Sequence, residues 1–230
     1  VVVGNSVAKN LIYSLQVWGE PHDVAVVDQA VIGCGLLRGG EFVTHFGIKK
    51  EKKNDPCIAW AESWKDMVRD VDPDVVVLLS GVYDLASRRL PGRDDFLEPG
   101  DPFYDDWMVE KLIRVSDTLS AGGAKIIWLT SPCIGETAKR YDFINTPAFD
   151  PARTKHFNSA ILPRIVAARP TMASSFDLFE AVCPDGVFTH ELGDIDLARR
   201  DGVHFLPAEA AWVARRIGPA VLEAAKHGTQ

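Results

Sequence analysis

Two stretches constrain what this 230-residue chain can fold into more than any other feature. Asp74-Val75-Val76-Val77-Leu78-Leu79 and Ala124–Leu129 are apolar almost throughout and lack the in–out alternation of a strand with one wet face. Strands of that kind lie in parallel sheets covered by helices on both sides, and helical spacing fills the segments between them. Val1–Val3 reads as a first strand, Asp23–Val27 as a second and Met172–Leu178 as a fifth. Helices are expected over Val7–Trp18, where Leu11, Leu15 and Trp18 share a face, and over Ile58–Val71, Trp107–Leu119, Ala152–Ala168 and Ala208–Lys226. Leu36–Pro56, Arg88–Pro102, Gly135–Pro151 and Cys183–Arg200 read as irregular connections. The expected fold is α/β: a three-layer α/β/α arrangement of flavodoxin-like type with about five parallel strands, in one domain over 1–230.

Composition narrows the function classes. The 25 basic and 32 acidic residues leave a net charge of −7, which argues against a nucleic-acid or anionic-membrane surface. Lys49-Lys50-Glu51-Lys52-Lys53 and Arg199-Arg200 are too short and too mixed to reverse that. No GxGxxG or P-loop pattern follows a strand, so nucleotide binding has no motif behind it. Cys34, Cys57, Cys133 and Cys183 form no CxxC pair, and no His/Cys cluster has zinc-ligand spacing. Four cysteines allow three pairings, with four buried thiols as the alternative. Cys34 and Cys183 lie in Gly- or Pro-containing turns, a common setting for bridges. That favours Cys34–Cys57 with Cys133–Cys183, and an oxidising, extracytoplasmic compartment.

Chemistry concentrates at four points. Val1-Val2-Val3-Gly4-Asn5-Ser6 runs a strand into a turn, placing Ser6 at the carboxyl end of a parallel strand and beside a helix N-terminus. A glycine turn, Gly33-Cys34-Gly35, follows the second strand, and Ser80-Gly81-Val82-Tyr83-Asp84 closes the third. Asp201-Gly202-Val203-His204 precedes the last helix; an Asp three residues ahead of a His can accept from Nδ1–H and leave Nε2 free as a base. Each point alone has a plainer explanation, an N-cap for Asn5-Ser6 and a turn for Asp201-Gly202. In a parallel sheet all four fall on one rim, where a nucleophile, oxyanion donors and an Asp–His base make a site for acyl transfer.

The order and setting of these blocks resemble the SGNH (GDSL-type) hydrolases over nearly the whole chain. Gly4-Asn5-Ser6 stands where that family has Gly-Asp-Ser, Gly81-Val82-Tyr83-Asp84 where it has Gly-x-Asn-Asp or Gly-x-Trp-Asp/Glu, and Asp201-Gly202-Val203-His204 is similar to its Asp-x-x-His. Finer features resemble the extracytoplasmic SGNH domains at the C-terminus of acyltransferase-3 membrane proteins: Gly33-Cys34-Gly35, Cys57 ahead of Trp60 and Trp64, Asp177-Leu178 leading to Cys183-Pro184, and Arg200-Asp201-Gly202-Val203-His204-Phe205. The resemblance implies Ser6 as nucleophile, His204 as general base and then acid, and Asp201 as its orienting partner. The oxyanion hole would take the N–H of Ser6, that of Gly33 (Gly35 as runner-up, counting from Asp28) and a third group at Asp84. No metal or organic cofactor is implied. The implied substrate is an acylated carbohydrate or small acyl ester, and the implied partner is an acyltransferase-3 membrane domain. The expected activity is that of a serine esterase or O-acyltransferase acting on a cell-envelope glycan, with a catalytically weak or inactive glycan-positioning domain as the alternative.

Two departures from the family pattern matter. The usual third oxyanion donor is an Asn in the third block, and this chain has Asp84 there, an acceptor when ionised. Asn5 in turn stands where Asp is usual, so amide and carboxylate read as exchanged between neighbouring strand ends, or Asp84 as protonated through burial. An Asp84→Asn variant separates these expectations, since a large gain in rate means that the native site lacks its donor. Tyr83 is expected to line the pocket along with Asn5. His22, His45, His156, His190 and His227 are scattered and read as surface or loop residues, and Trp60, Trp64, Trp107, Trp128 and Trp212 read mainly as core.

Overall fold

The computed structural model describes residues 1–44, 47–52, 55–136 and 147–226, so His45, His227 and most of the Gly135–Pro151 connection lie outside the described residues. The chain runs β1 (Val2–Gly4), α1 (Ser6–Gly19), β2 (Asp28–Ala30), β3 (Glu41–Thr44), β4 (Gly47–Lys50), α2 (Pro56–Glu62), α3 (Trp64–Val71), β5 (Val75–Leu79) and β6 (Arg88–Arg89). It continues with α4 (Pro102–Leu119), β7 (Lys125–Leu129), α5 (Pro151–His156), a π turn over Phe157–Ile161, α6 (Leu162–Ala167), β8 (Ala173–Phe176), α7 (Leu178–Val182) and α8 (Pro207–Lys226). Five strands form one parallel sheet in the order β2-β1-β5-β7-β8. The chain steps outward from β1 to β2 and then returns past β1 to β5. The carboxyl ends of β1 and β5 therefore flank the point where the winding reverses, where open α/β sheets hold ligands.

The unalternating strands have a direct cause. Val76 and Leu78 of β5 point into one core with Trp64, Leu112 and Phe157, while Val75, Val77 and Leu79 point into another with Leu11, Leu15, Val213 and Ile217. Both faces are dry, so every position is apolar. Helices α1 and α8 cover one face, and α3, α4 and α6 cover the other.

The sheet edge departs from the sequence expectation. The second strand is Asp28–Ala30 and not Asp23–Val27: Val2 N–H donates to Val27 O, and Val2 pairs with Asp28. On this edge strand Asp28 is exposed and Gln29 half-buried, so its polar residues keep contact with water. Leu36–Pro56 is not wholly irregular either, because β3 pairs antiparallel with β4 and with β6 in a separate three-stranded sheet. Its polar, glycine-flanked strands carry little hydrophobic pattern for a sequence reading to detect. The expected Ile58–Val71 helix is two helices joined at Ser63, and the Ala152–Ala168 helix contains the π turn. Cys34–Cys57 and Cys133–Cys183 are both bonded. Among the described residues, no helix is long and apolar enough to cross a membrane.

Candidate active site

Asn5 shapes the turn between β1 and α1. Its Oδ1 accepts the Val7 N–H at 2.9 Å and caps the helix, so Ser6 becomes the first helical residue. First-turn N–H groups lack partners within the helix and carry the positive end of its dipole, so the Ser6 N–H can receive an anion.

The structure brings Ser6, His204 and Asp201 together. Ser6 Oγ lies 2.8 Å from His204 Nε2, and His204 Nδ1 lies 2.6 Å from Asp201 Oδ2. With the Nδ1 hydrogen donated to the carboxylate, Nε2 accepts from the serine hydroxyl. The other oxygen of Asp201 accepts the backbone N–H of Val203 at 2.9 Å and of His204 at 2.8 Å. Partial burial works against ionising Asp201, but these N–H groups and the imidazole outweigh it and hold the carboxyl below its ordinary range.

The loop carrying Asp201 and His204 is anchored by a residue that sequence reasoning dismissed. Arg199, counted there only as surface charge, is fully buried. Its guanidinium donates to Cys133 O at 2.9 Å and Val182 O at 2.6 Å and stacks 4.3 Å from the Phe188 ring. Its own N–H donates to Glu209 Oε2 at 3.0 Å. Burial lowers its pKa to about 10, against the pull of Glu209. Together with the Cys133–Cys183 bridge, Arg199 ties the loop to the end of β7. Its place two residues ahead of Asp201 was the available signal, but a charged residue beside a turn has no burial signature in sequence. Asn158, on the π turn, was also missed; it clasps both backbone groups of Ser131, at 2.8 and 2.9 Å, while Ser131 Oγ donates to Ser80 O at 3.1 Å.

Asp84 does not stand where an oxyanion donor would. It is 1% exposed, and its Oδ1 accepts from Leu36 N–H at 2.6 Å and Leu37 N–H at 2.8 Å. Its Oδ2 accepts from Gly81 N–H at 3.1 Å and from Ser80 Oγ at 3.2 Å. Burial pushes this carboxyl upward, opposed by the N–H groups of Leu37 and Gly81 and by Arg38 and Arg88. Three of its four partners are backbone N–H groups, which only donate, so Asp84 serves as the acceptor that joins the glycine turn to the end of β5. This corrects the expectation that Asp84 donates to the oxyanion.

The two glycines also separate. Gly33 lines a neighbouring concavity with Thr44 and Cys57, whereas a Cβ on Gly35 would strike Asp84 Oδ1 at 2.6 Å. Neither is among the residues lining the cavity beside Ser6, although Tyr83 borders both concavities. That cavity, ≈ 40 Å³, is mostly apolar, with Asn5, Gly81, Tyr83, Pro132, Ile134 and Val203 in its wall. A larger cavity of ≈ 500 Å³ opens at the amino ends of the strands between Trp18 and Leu222, but its lining offers no hydroxyl or thiol nucleophile. Of the other histidines, His156 Nε2 lies 2.7 Å from Asp105, and His22 and His190 bond to backbone carbonyls.

A doubly wound α/β domain with a serine, a histidine and an aspartate in series at its switch point has the architecture of a hydrolase. The chain belongs to the SGNH domain family described as fused to AT3 domains, whose family model matches residues 1–219. No curated protein sequence matches it. Among solved structures it is similar in fold to a GDSL-like lipase from Bacteroides thetaiotaomicron at 12% identity, covering 97% of this chain and 87% of that one with a TM-score of 0.59. An acetyl xylan esterase shares the fold at 19% identity, 96% and 100% coverage and a TM-score of 0.53. A psychrotrophic esterase from a Pseudoalteromonas species does so at 10% identity, 96% and 95% coverage and a TM-score of 0.53.

Proposed function

We propose that the domain is an extracytoplasmic serine esterase or O-acyltransferase that removes or moves a small acyl group on a cell-envelope glycan. The observation that carries this reading is the unbroken chain of hydrogen bonds from Ser6 Oγ through both nitrogens of His204 to Asp201. As the Ser6 Oγ–carbon bond forms, the hydroxyl proton passes to Nε2 and the carbonyl π electrons collect on oxygen. The oxyanion then re-forms the carbonyl and expels the alcohol, which takes the proton from Nε2. Water or a sugar hydroxyl, deprotonated by the same nitrogen, resolves the acyl-enzyme. The Ser6 N–H at the head of α1 supports the oxyanion. Two disulfides fit an oxidising compartment, and the family description supports an acyltransferase-3 membrane domain as partner. Asp84 favours a second reading: a third block without its usual donor is expected of a domain that positions glycan without chemistry.

The test is a burst of p-nitrophenol from p-nitrophenyl acetate that disappears in Ser6→Ala; no burst from wild type, or a burst that persists in the variant, overturns the reading. The narrow cavity beside Ser6 adds an expectation about acyl length. Extra methylenes forced into a small apolar space cost about 1–3 kcal/mol, so kcat/KM for the hexanoate ester should lie about 5- to 150-fold below that for the acetate. Equal rates across the series would remove the cavity as the acyl site.

A further inference from the structure

On the basis of the esterase reading, we propose that the Asn5 side-chain amide is a catalytic oxyanion donor, filling from the first block the place that Asp84 leaves empty in the third. Asn5 directly precedes Ser6 in sequence and is only 3% exposed. Its Oδ1 is committed to the Val7 N–H, which fixes the orientation of the planar amide and so the position of Nδ2, an atom that can only donate. That nitrogen lies over Gly81, where an ideal Cβ would stand 1.8 Å from it. Asn5, Ser6 and Gly81 border the same cavity. An oxyanion within reach of the Ser6 N–H therefore lies beside the Asn5 amide, in a water-poor setting where such a donor has its largest effect.

Helix capping does not explain the choice of amide over carboxylate. Aspartate caps a helix about as well as asparagine, so the cap is satisfied by either residue. Only the amide brings hydrogens to the cavity; aspartate would bring a negative charge toward a developing one. Gly81 fits the same account, since any side chain there would push the amide aside.

The discriminating variant is Asn5→Asp, which keeps the cap and removes the donor. A donor used only in the transition state lowers kcat and leaves KM nearly unchanged, so kcat for p-nitrophenyl acetate should fall about 10²- to 10³-fold at constant KM and unchanged melting. Gly81→Ala displaces the amide without touching Asn5 and should also lower kcat, and the double variant should be no slower than Asn5→Asp alone because both remove one interaction. If Asn5→Asp folds poorly, Asn5→Ser, which also caps, is read for the same loss. A kcat close to wild type in a folded variant, or additive losses in the double variant, overturns the assignment. The Ser6→Ala control separates the two levels: hydrolysis that survives it overturns the esterase reading as well, whereas Ser6-dependent hydrolysis indifferent to Asn5→Asp overturns only the role of Asn5.

Discussion

An Asp201→Asn variant is expected to hydrolyse p-nitrophenyl acetate about 10⁴-fold more slowly than wild type, with the loss in kcat. The exchange spares the loop, because an amide oxygen still accepts the N–H groups of Val203 and His204 that Asp201 Oδ1 holds at 2.9 and 2.8 Å. What changes is the partner of Nδ1. An amide NH2 facing that nitrogen forces the imidazole hydrogen onto Nε2, which then no longer accepts the Ser6 proton. A loss below tenfold in a folded variant would show that Asp201 holds the loop and leaves the histidine's tautomer alone. The pH dependence of stability gives an independent check. The folded carboxyl lies below its ordinary range, so its contribution is complete above the unfolded value, about 3.9, and is lost only as pH falls through the lower folded one. The stability difference between wild type and Asp201→Asn should thus shrink as pH falls below about 4. A difference that stays constant through that acid range would contradict the assignment.

The second large effect falls on folding. Asp84→Asn should destabilise the domain by about 3–5 kcal/mol in denaturant titrations, the range for removing one member of a buried charge cluster. An amide cannot accept at both ends: either the N–H groups of Leu36 and Leu37 or the Gly81 N–H would face NH2 hydrogens. Arg38, which also pairs with Glu51, and Arg88 would each lose a nearby negative charge. The glycine turn would then loosen from β5, and turnover should fall. Unchanged stability with faster hydrolysis would restore the expectation that this site needs an asparagine in its third block.

Much of this organisation is readable from residue order. Apolar runs such as Val75–Leu79 announce parallel strands buried on both faces, because each residue must enter one of two dry cores whatever the details of packing. Residues at strand ends inherit their place from topology, so Ser6 at the end of β1 and the Asp201–His204 pair before α8 could be expected on one rim. Turn chemistry also pointed to the two bridges that the structure contains.

Other features depend on contacts between segments distant in sequence. The side sheet of β3, β4 and β6 forms through backbone pairing with little hydrophobic pattern to mark it. The two halves of the acidic and amide exchange part company for the same reason: Asp84 meets N–H groups 47 and 48 residues away, which makes it a brace, whereas Asn5 is held by its own helix two residues on. Burial of Arg199 beneath the histidine loop likewise depends on Cys133, Val182 and Glu209 converging around it. Local patterning selects the strands, the helices and their rim because it reflects which side chains avoid water. The partner of each polar group at that rim is a matter of distance across the sheet, and chain order alone carries no measure of it.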